Sequence, residues 1–130
     1  LVQPEERANE LAERLLAERR QIKLIGPLDY PDLVAAMQQA KFILTDSGGI
    51  QEETTVLNIP CLTLRWNTER PVTVTSGTNR LVGTDAQMVT ESVRMILKGT
   101  WKIGVRPPMW DGQASSRIVN IITEWSNKRS

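Results

Sequence analysis

The hydrophobic residues of this chain fall into two kinds of run, which predict two kinds of element. Short runs that are apolar almost throughout predict strands, and they lie at 22–26, 42–46, 61–65 and 79–83. Runs in which apolar residues recur three or four positions apart predict amphipathic helices, and they lie at 4–20, 31–40, 50–57, 88–97 and 118–125. Strands and helices therefore alternate along most of the chain.

Residues with special backbone preferences mark the ends of several predicted helices. Pro31 suits the first turn of the second helix, since proline lacks the N–H that has no partner there. Thr84 or Asp85 can cap the fourth helix, and Gly99 can end it. The segment 66–78 has neither periodicity and is predicted to be a long loop.

This alternation defines the fold class. Strands that are apolar on both faces must be covered on both faces, which is typical of parallel sheets with right-handed helical crossovers. We predict an α/β protein, a Rossmann-like three-layer sandwich with a parallel sheet of about four strands. The 130 residues fit a single domain that spans 1–130.

Composition and charge exclude several classes of function. The net charge of +1 gives no long-range field that would attract nucleic acid or an anionic membrane, and no apolar run is long enough to span a membrane. The single cysteine, Cys61, cannot form an internal disulfide, so we expect a reducing compartment, the cytoplasm. Because the chain has no histidine, it cannot by itself build a histidine-dependent triad, and we expect no metal.

The turn Asp46–Ser47–Gly48–Gly49 is the first candidate for chemistry. It follows a predicted strand and opens a predicted helix, and parallel sheets bind ligands at the carboxyl ends of their strands. The first N–H groups of the helix have no internal partner and, with the helix dipole, favour an anion such as phosphate. Gly48 and Gly49 allow positive φ and close approach, and Ser47 adds a hydroxyl. A tight turn without a ligand is the alternative, and it fits the turn alone better.

Two adjacent glutamates follow the turn. Glu52 and Glu53 would repel a phosphate, so we expect neither to touch that group. Glu53 lies four residues after Gly49 on the same side, and helical side chains lean toward the N-terminus, so its carboxylate can reach back. A carboxylate that accepts from two hydroxyls can hold ribose, and phosphate with ribose describes a nucleoside diphosphate. Alternatively, both glutamates only favour the positive end of the helix.

Arg70 lies in the sequence "NTERP" of the predicted loop. Its guanidinium could bind a diphosphate through forked hydrogen bonds, or it could pair with Glu69 or Glu53. Pro71 favours an extended backbone at Arg70, which is compatible with both roles. The spacing alone leaves the two interpretations open.

Several segments together resemble one enzyme family, the non-hydrolysing UDP-N-acetylglucosamine 2-epimerases. The resemblance runs in order from Ile22 to the C-terminus and rests on five motifs: "GPLDY" (26–30), "LTDSGGIQEE" (44–53), "TERP" (68–71), "GTNRLVGTD" (77–85) and "DGQASSRI" (111–118). It implies two Rossmann-like domains in the glycosyltransferase-B arrangement, with the UDP-sugar in the cleft between them. This chain would be most of the C-terminal domain.

The resemblance also implies a reaction and a set of binding residues. UDP would be eliminated to leave a 2-acetamidoglucal, and it would add again from the other face to invert C2, with no cofactor. The phosphates would lie on the turn, the ribose on the glutamate, and the uracil on the segment 28–33. The implied UDP-binding residues of this chain are Leu28, Ser47, Gly48, Gly49, Glu53 and Arg70.

The family resemblance places the catalytic groups elsewhere. The acid and base carboxylates belong to the missing N-terminal domain, and the family's functional histidine has no counterpart here. We therefore expect no catalytic residue in this chain and no epimerisation by the chain alone. The resemblance implies as partners UDP-GlcNAc, UDP-ManNAc or UDP, the N-terminal domain of the same enzyme, and a second copy in a homodimer.

Other functions share the same features. A donor-binding domain of a UDP-sugar glycosyltransferase would have the same turn and ribose-binding glutamate. A non-catalytic nucleotide-binding domain would keep the fold without the chemistry. The hydrolysing relatives normally lack the combination of "GGIQEE" and "TERP", so they rank lower. Trp66 departs from the family pattern, because relatives often carry an acidic residue there.

Overall fold

The computed structural model describes residues 4–16 and 19–129, with side chains from Glu10 onward. The chain divides into two compact units, Leu1–Leu33 and Val34–Ser130, which are described separately below. The expectation of one domain over 1–130 stays a prediction. No helix in the described ranges is both long and apolar enough to cross a membrane.

The first unit contains α1 (Pro4–Leu16) and the start of α2 (Tyr30–Gln39). The predicted first helix ran to residue 20, but α1 ends at Leu16, and residues 17 and 18 lie outside the described residues. Helix α2 begins one residue before Pro31, where the Asp29 carboxylate accepts from the N–H of Asp32 at 3.1 Å. The prediction of a helix at this proline is confirmed.

The predicted strand at 22–26 is wrong. This segment has no regular structure in the described chain, and its side chains are open, with Ile22, Leu24 and Ile25 exposed by 42%, 45% and 60%. An apolar run marks a segment that is able to form a strand, but a strand forms only when a neighbour supplies its hydrogen bonds. No such ladder forms at 22–26 in the described residues.

The second unit is built on a parallel sheet of three strands. They are β1 (Ile43–Thr45), β2 (Cys61–Thr63) and β3 (Asn79–Leu81), in the spatial order β1-β2-β3. Both pairs are parallel, and Ile43, Cys61 and Asn79 lie side by side in register. The α/β class and the parallel sheet are confirmed, although the sheet has three strands instead of about four.

Four helices follow these strands: α3 (Gly48–Leu57), α4 (Pro71–Thr75), α5 (Ala86–Leu97) and α6 (Ala114–Asn127). Helix α3 contacts all three strands and buries the side chains of Thr54 and Thr55. It ends at Leu57, and the C-cap residue Asn58 has a φ of 57°, which allows its N–H to reach back to the carbonyls of Thr54 and Thr55. Helix α4 lies inside the predicted loop 66–78 and was missed.

The caps of α5 follow the prediction. The carboxylate of Asp85 accepts from the N–H groups of Gln87 and Met88, at 2.8 and 3.1 Å. Gly99 follows the helix with a φ of 71°, a conformation that favours glycine. Sequence reasoning identified both ends because the residues act locally.

Helix α6 is anchored at its start by a charged pair. Asp111 accepts from Arg117 Nη1 at 2.8 Å and from the N–H of Gln113 at 3.0 Å. These hydrogen bonds hold the pKa of Asp111 well below its usual range, and the one from Arg117 has the largest effect on that pKa. The apolar residues that recur along one face of α6 are 56% to 65% exposed: Ile118, Ile121, Ile122 and Trp125.

The core of the second unit combines apolar and polar side chains. Cys61, Leu62 and Val82 have no exposed surface, and Met37 has almost none. Gln51, Thr63, Thr73 and Asn79 are equally buried, so a cluster of amides and hydroxyls lies inside the unit, against the sheet. This cluster lies next to the candidate site.

Candidate functional site

The turn 46–49 lies at the carboxyl edge of the sheet, between β1 and α3. Ser47 is the N-cap residue of α3, and its hydroxyl accepts from the N–H of Ile50 at 3.5 Å. Its own N–H donates to the hydroxyl of Thr45 at 3.1 Å. The N–H groups of Gly48 and Gly49 lie in the first turn, where the helix has no acceptor for them.

The role of Gly48 and Gly49 lies in their missing side chains and not in an unusual backbone conformation. Positive φ among the described glycines occurs at Gly83, Gly99 and Gly112, so the positive φ allowed for at Gly48 and Gly49 is not used. A Cβ built on Gly49 would meet no atom nearer than the Ser47 hydroxyl, at 3.9 Å. The surface in front of Gly49 is therefore open to a ligand.

A carboxylate already lies beside Gly48. A Cβ built on Gly48 would be 3.2 Å from Oε1 of Glu69, and Oε2 of Glu69 pairs with Arg65 Nη1 at 3.4 Å. The backbone N–H of Glu69 and then the charge of Arg65 lower the pKa of Glu69, so its carboxylate is ionised at neutral pH. An anion next to the start of α3 is what the helix dipole favours.

Glu53 lies one turn into α3, as expected. It is half-buried, and among the described residues its Oε2 atom is buried without a hydrogen-bond partner. A buried carboxylate oxygen without a donor costs stability. The alternative in which Glu53 pairs with Arg70 is wrong, because Arg70 pairs with Glu52.

Arg70 pairs with Glu52, a partner that was not considered from the sequence. Its Nε lies 2.8 Å from Oε1 of Glu52, and both side chains are about two-fifths exposed, at 43% and 40%. Arg70 therefore pairs with neither Glu69 nor Glu53, the two partners considered from the sequence, but with the residue that precedes Glu53 in α3. Since the pair is open to solvent, breaking it costs little.

Trp66 lies in the loop that follows β2. Its indole is 67% exposed, and it packs against Gly83, where a Cβ would collide with the ring. Gly83 has a φ of 54°, so both its backbone and its missing side chain suit this contact. No local pattern indicates this contact, because Trp66 and Gly83 are distant along the chain.

The structure brings most of the predicted site residues together in the second unit. Ser47, Gly48, Gly49 and Glu53 share the first turns of α3, and Arg70 is joined to the same helix through Glu52. The remaining residue, Leu28, lies in the first unit, in the irregular segment before α2.

Sequence reasoning missed a buried network beneath this surface. Gln51 of α3 accepts hydrogen bonds from Thr68 at 2.7 Å and from Asn79 of β3 at 3.0 Å. Gln51 and Asn79 are 28 residues apart, so no local pattern indicates their contact. The only local signal is a polar residue in the middle of an amphipathic helix.

A glycine-rich turn that opens a helix at the carboxyl edge of a parallel sheet is typical of nucleotide-binding α/β proteins. A family model described as UDP-N-acetylglucosamine 2-epimerase matches residues 1–123. The chain therefore belongs to the UDP-N-acetylglucosamine 2-epimerase family, as the resemblance implied.

Individual relatives agree with this assignment. The UDP-N-acetylglucosamine 2-epimerase of Escherichia coli K12 is 45% identical over 113 residues, which cover 84% of this chain and 30% of the relative. The S. aureus MnaA-UDP co-structure has a TM-score of 0.83 at 37% identity, and the match covers 96% of this chain and 35% of that one. The Neisseria meningitidis enzyme bound to UDP-GlcNAc has a TM-score of 0.82 at 34% identity, with coverage of 95% and 34%. The chain thus spans about 30% of the length of the curated relatives it matches.

Proposed function

We propose that this chain is the UDP-binding part of an isomerase that interconverts UDP-N-acetylglucosamine and UDP-N-acetylmannosamine. The observation that carries the proposal is a helix start that is open in front of Gly49, together with a buried oxygen of Glu53, one turn later, that has no hydrogen-bond partner among the described residues. The first offers donors for a diphosphate, and the second offers an acceptor for ribose hydroxyls. One related structure contains bound UDP and another contains bound UDP-GlcNAc, which supports the same ligand for this chain.

The phosphates of UDP would bind at the start of α3. The N–H groups of Gly48 and Gly49 donate to phosphate oxygens, and the dipole of α3 adds a favourable field. Ser47 keeps its capping role as an acceptor and can donate its own hydroxyl proton to the ligand. The carboxylate of Glu69 must move away from Gly48 as the phosphate arrives, which its exposed position allows.

Glu53 would hold the ribose. Its Oε2 would gain a donor that none of the described residues supplies, so binding would remove a cost that the free protein carries. A carboxylate with two oxygens can accept from both ribose hydroxyls. The backbone of Leu28 would contact the edge of the uracil.

Arg70 would contact the diphosphate. Its pair with Glu52 uses Nε, and a guanidinium has further N–H donors in a fixed fork. In the reaction, the sugar loses its C2 proton and UDP leaves from C1, which gives a glucal. UDP then returns to C1 on the face that it left, and a proton is delivered to C2 on the face opposite to the one from which the first proton was lost, so that only C2 is inverted. The positive charge of Arg70 and the amides of α3 would stabilise the leaving diphosphate.

The wider setting of the enzyme forms part of the proposal. The acid and base residues would come from an N-terminal domain, so the chain alone would bind UDP without catalysis. We place the enzyme in the cytoplasm as a homodimer serving cell-surface polysaccharide biosynthesis. Cys61 is free and buried, which is compatible with a reducing compartment.

The proposal is tested with the protein that carries this sequence, at its full natural length. UDP-GlcNAc is added, and the formation of UDP-ManNAc is followed by chromatography. Interconversion supports the proposal. Transfer of the sugar to an acceptor without inversion at C2 would favour the glycosyltransferase alternative, and failure to bind UDP by calorimetry would contradict both.

A further inference from the structure

A buried amide of α3 forms the centre of a polar network. Gln51 has no exposed surface, and its Oε1 accepts from Thr68 Oγ1 at 2.7 Å and from Asn79 Nδ2 at 3.0 Å. Its Nε2 is buried without a partner among the described residues. An apolar side chain here would avoid that cost, so the amide is not explained by stability alone.

Asn79 extends the network across the sheet. Its Oδ1 accepts from the hydroxyl of Thr63 on β2 at 2.7 Å, and its Nδ2 also donates to the hydroxyl of Thr73 on α4 at 3.0 Å. The oxygen and the nitrogen of the Asn79 side-chain amide therefore both form hydrogen bonds inside the protein. The network is therefore anchored to two strands of the sheet, β2 and β3.

The hydroxyls of Thr68 and Thr73 both form hydrogen bonds with the backbone of Arg70. The N–H of Arg70 donates to Thr68 Oγ1 at 3.0 Å. The carbonyl of Arg70 accepts from Thr73 Oγ1 at 2.7 Å and from the N–H of Thr73 at 3.0 Å. Arg70 is thus held on both sides, through Thr68 to Gln51 and through Thr73 to Asn79.

We propose that Gln51, Asn79, Thr68 and Thr73 are positioning residues that fix Arg70 relative to the phosphate-binding turn. Gln51 lies three residues after Gly48 in the same helix, so the network ties Arg70 to the helix whose first amides would bind the diphosphate. This inference rests on the proposed binding of UDP. It assigns to these residues an effect on ligand affinity that is transmitted through Arg70.

The matched test uses one half-buried hydroxyl. Thr68→Val removes the hydroxyl and keeps the shape, whereas Thr68→Ser keeps the hydroxyl. We expect Thr68→Val to raise the Kd for UDP about tenfold by calorimetry, as expected for losing one well-placed charged contact, and Thr68→Ser to stay within about twofold. Thr90→Val, which removes an exposed hydroxyl on α5, is the control and should leave the Kd unchanged.

A double-mutant cycle separates positioning from general support. Arg70→Ala should weaken UDP binding, and adding Thr68→Val to it should have no further effect, because the network acts through the guanidinium. An equal loss in both backgrounds, or no loss from Thr68→Val, would overturn the inference. Should Thr68→Val unfold below the assay temperature, Thr73→Val is measured in the same cycle.

The two proposals fail in different ways. If the unsubstituted protein does not bind UDP, the proposed function is wrong. If it binds UDP and Thr68→Val binds equally well, only the positioning role is wrong. The midpoint of thermal unfolding, measured for each variant, shows that affinity and not folding has changed.

Discussion

Arg70 and Glu52 form an ion pair in which Nε lies 2.8 Å from Oε1. The pair joins the loop after β2 to the second turn of α3, so a cation and the proposed phosphate-binding turn are linked by one carboxylate. Glu52 has two opposing effects on a bound diphosphate. It holds the guanidinium near the turn, and it neutralises the charge that the diphosphate needs.

Replacing Glu52 distinguishes these effects. Because the pair is exposed, it contributes at most about 1 kcal/mol, and the backbone of Arg70 is held independently of it. We expect Glu52→Gln to tighten UDP binding by up to about fivefold, since a negative charge near the ligand is removed. Glu91→Gln on α5 is the control for charge elsewhere. Weaker binding would show that Glu52 orients the guanidinium instead.

The ribose role of Glu53 predicts a change in ligand preference. Hydrogen bonds to a charged group contribute about 1.5–3 kcal/mol, so Glu53→Gln should weaken UDP binding by roughly tenfold to a hundredfold. The unsubstituted protein should prefer UDP to 2′-deoxy-UDP, and the variant should lose most of that preference. Calorimetry with both nucleotides measures the effect, with Glu124→Gln as the control.

The same substitution, Glu53→Gln, should not destabilise the fold although it weakens UDP binding. Its Oε2 is buried with no donor in the described part of the chain, so neutralising the carboxyl group removes an unfavourable burial. The midpoint of thermal unfolding should stay constant or rise. A lower midpoint together with unchanged affinity for UDP would mean that Glu53 serves the fold.

The glycine at the open face of the turn gives a steric test. A Cβ on Gly49 fits the free protein, with its nearest neighbour at 3.9 Å, and alanine favours a helix over glycine by about 0.5–1 kcal/mol. Gly49→Ala should therefore fold at least as stably, yet lose roughly tenfold or more in affinity for UDP because the Cβ displaces the phosphate. Gly49→Asp should abolish binding. Ser116→Ala on α6 is the control.

The Asp111–Arg117 pair predicts a dependence of stability on pH. The pKa of Asp111 is depressed in the folded protein, so the pair stabilises the fold above the ordinary aspartate pKa of about 3.9 and is lost as pH falls through the folded value. Asp111→Asn should lower the unfolding midpoint slightly between pH 5 and 8, by an amount that stays constant. Below about pH 4 the difference should shrink. Circular dichroism at 222 nm follows the transition, and a difference that grows in acid would contradict the assignment.

Local signals made α3 and α5 predictable. The start of α3 follows from a turn with two glycines, and its end from Asn58, whose side chain tolerates positive φ. The cap at Asp85 acts on N–H groups two and three residues away. Each of these features is decided within one turn of helix, so the sequence contains all that is needed.

Features that depend on distant partners were not predictable. Helix α4, "PVTVT", is rich in β-branched residues that disfavour helices, and it forms where Thr73 bonds to Arg70 and Asn79. The segment 22–26 has the composition of a strand but no neighbour in the described sheet. The periodicity of α6 identifies an apolar face and leaves open what covers it.

The candidate site shows the same division. Residue type and spacing indicated the turn, Glu53 and Arg70 as candidates, because anion binding at a helix start is a local property, but only the family resemblance favoured ligand contact by Arg70. The Arg70–Glu52 pair and the contact of Gln51 with Asn79 depend on how the loop after β2 folds back onto α3. Spacing along the chain does not encode that path.

In the proposed site, the amides of Gly48 and Gly49 bind the diphosphate while Glu53 binds the ribose. A crystal structure of the full-length protein with UDP tests it most directly. We predict phosphate oxygens within about 3.2 Å of both glycine nitrogens, and a ribose hydroxyl at the same distance from Glu53 Oε2. UDP bound elsewhere, with the start of α3 still beside Glu69 and Glu53 Oε2 still without a donor, would contradict the account.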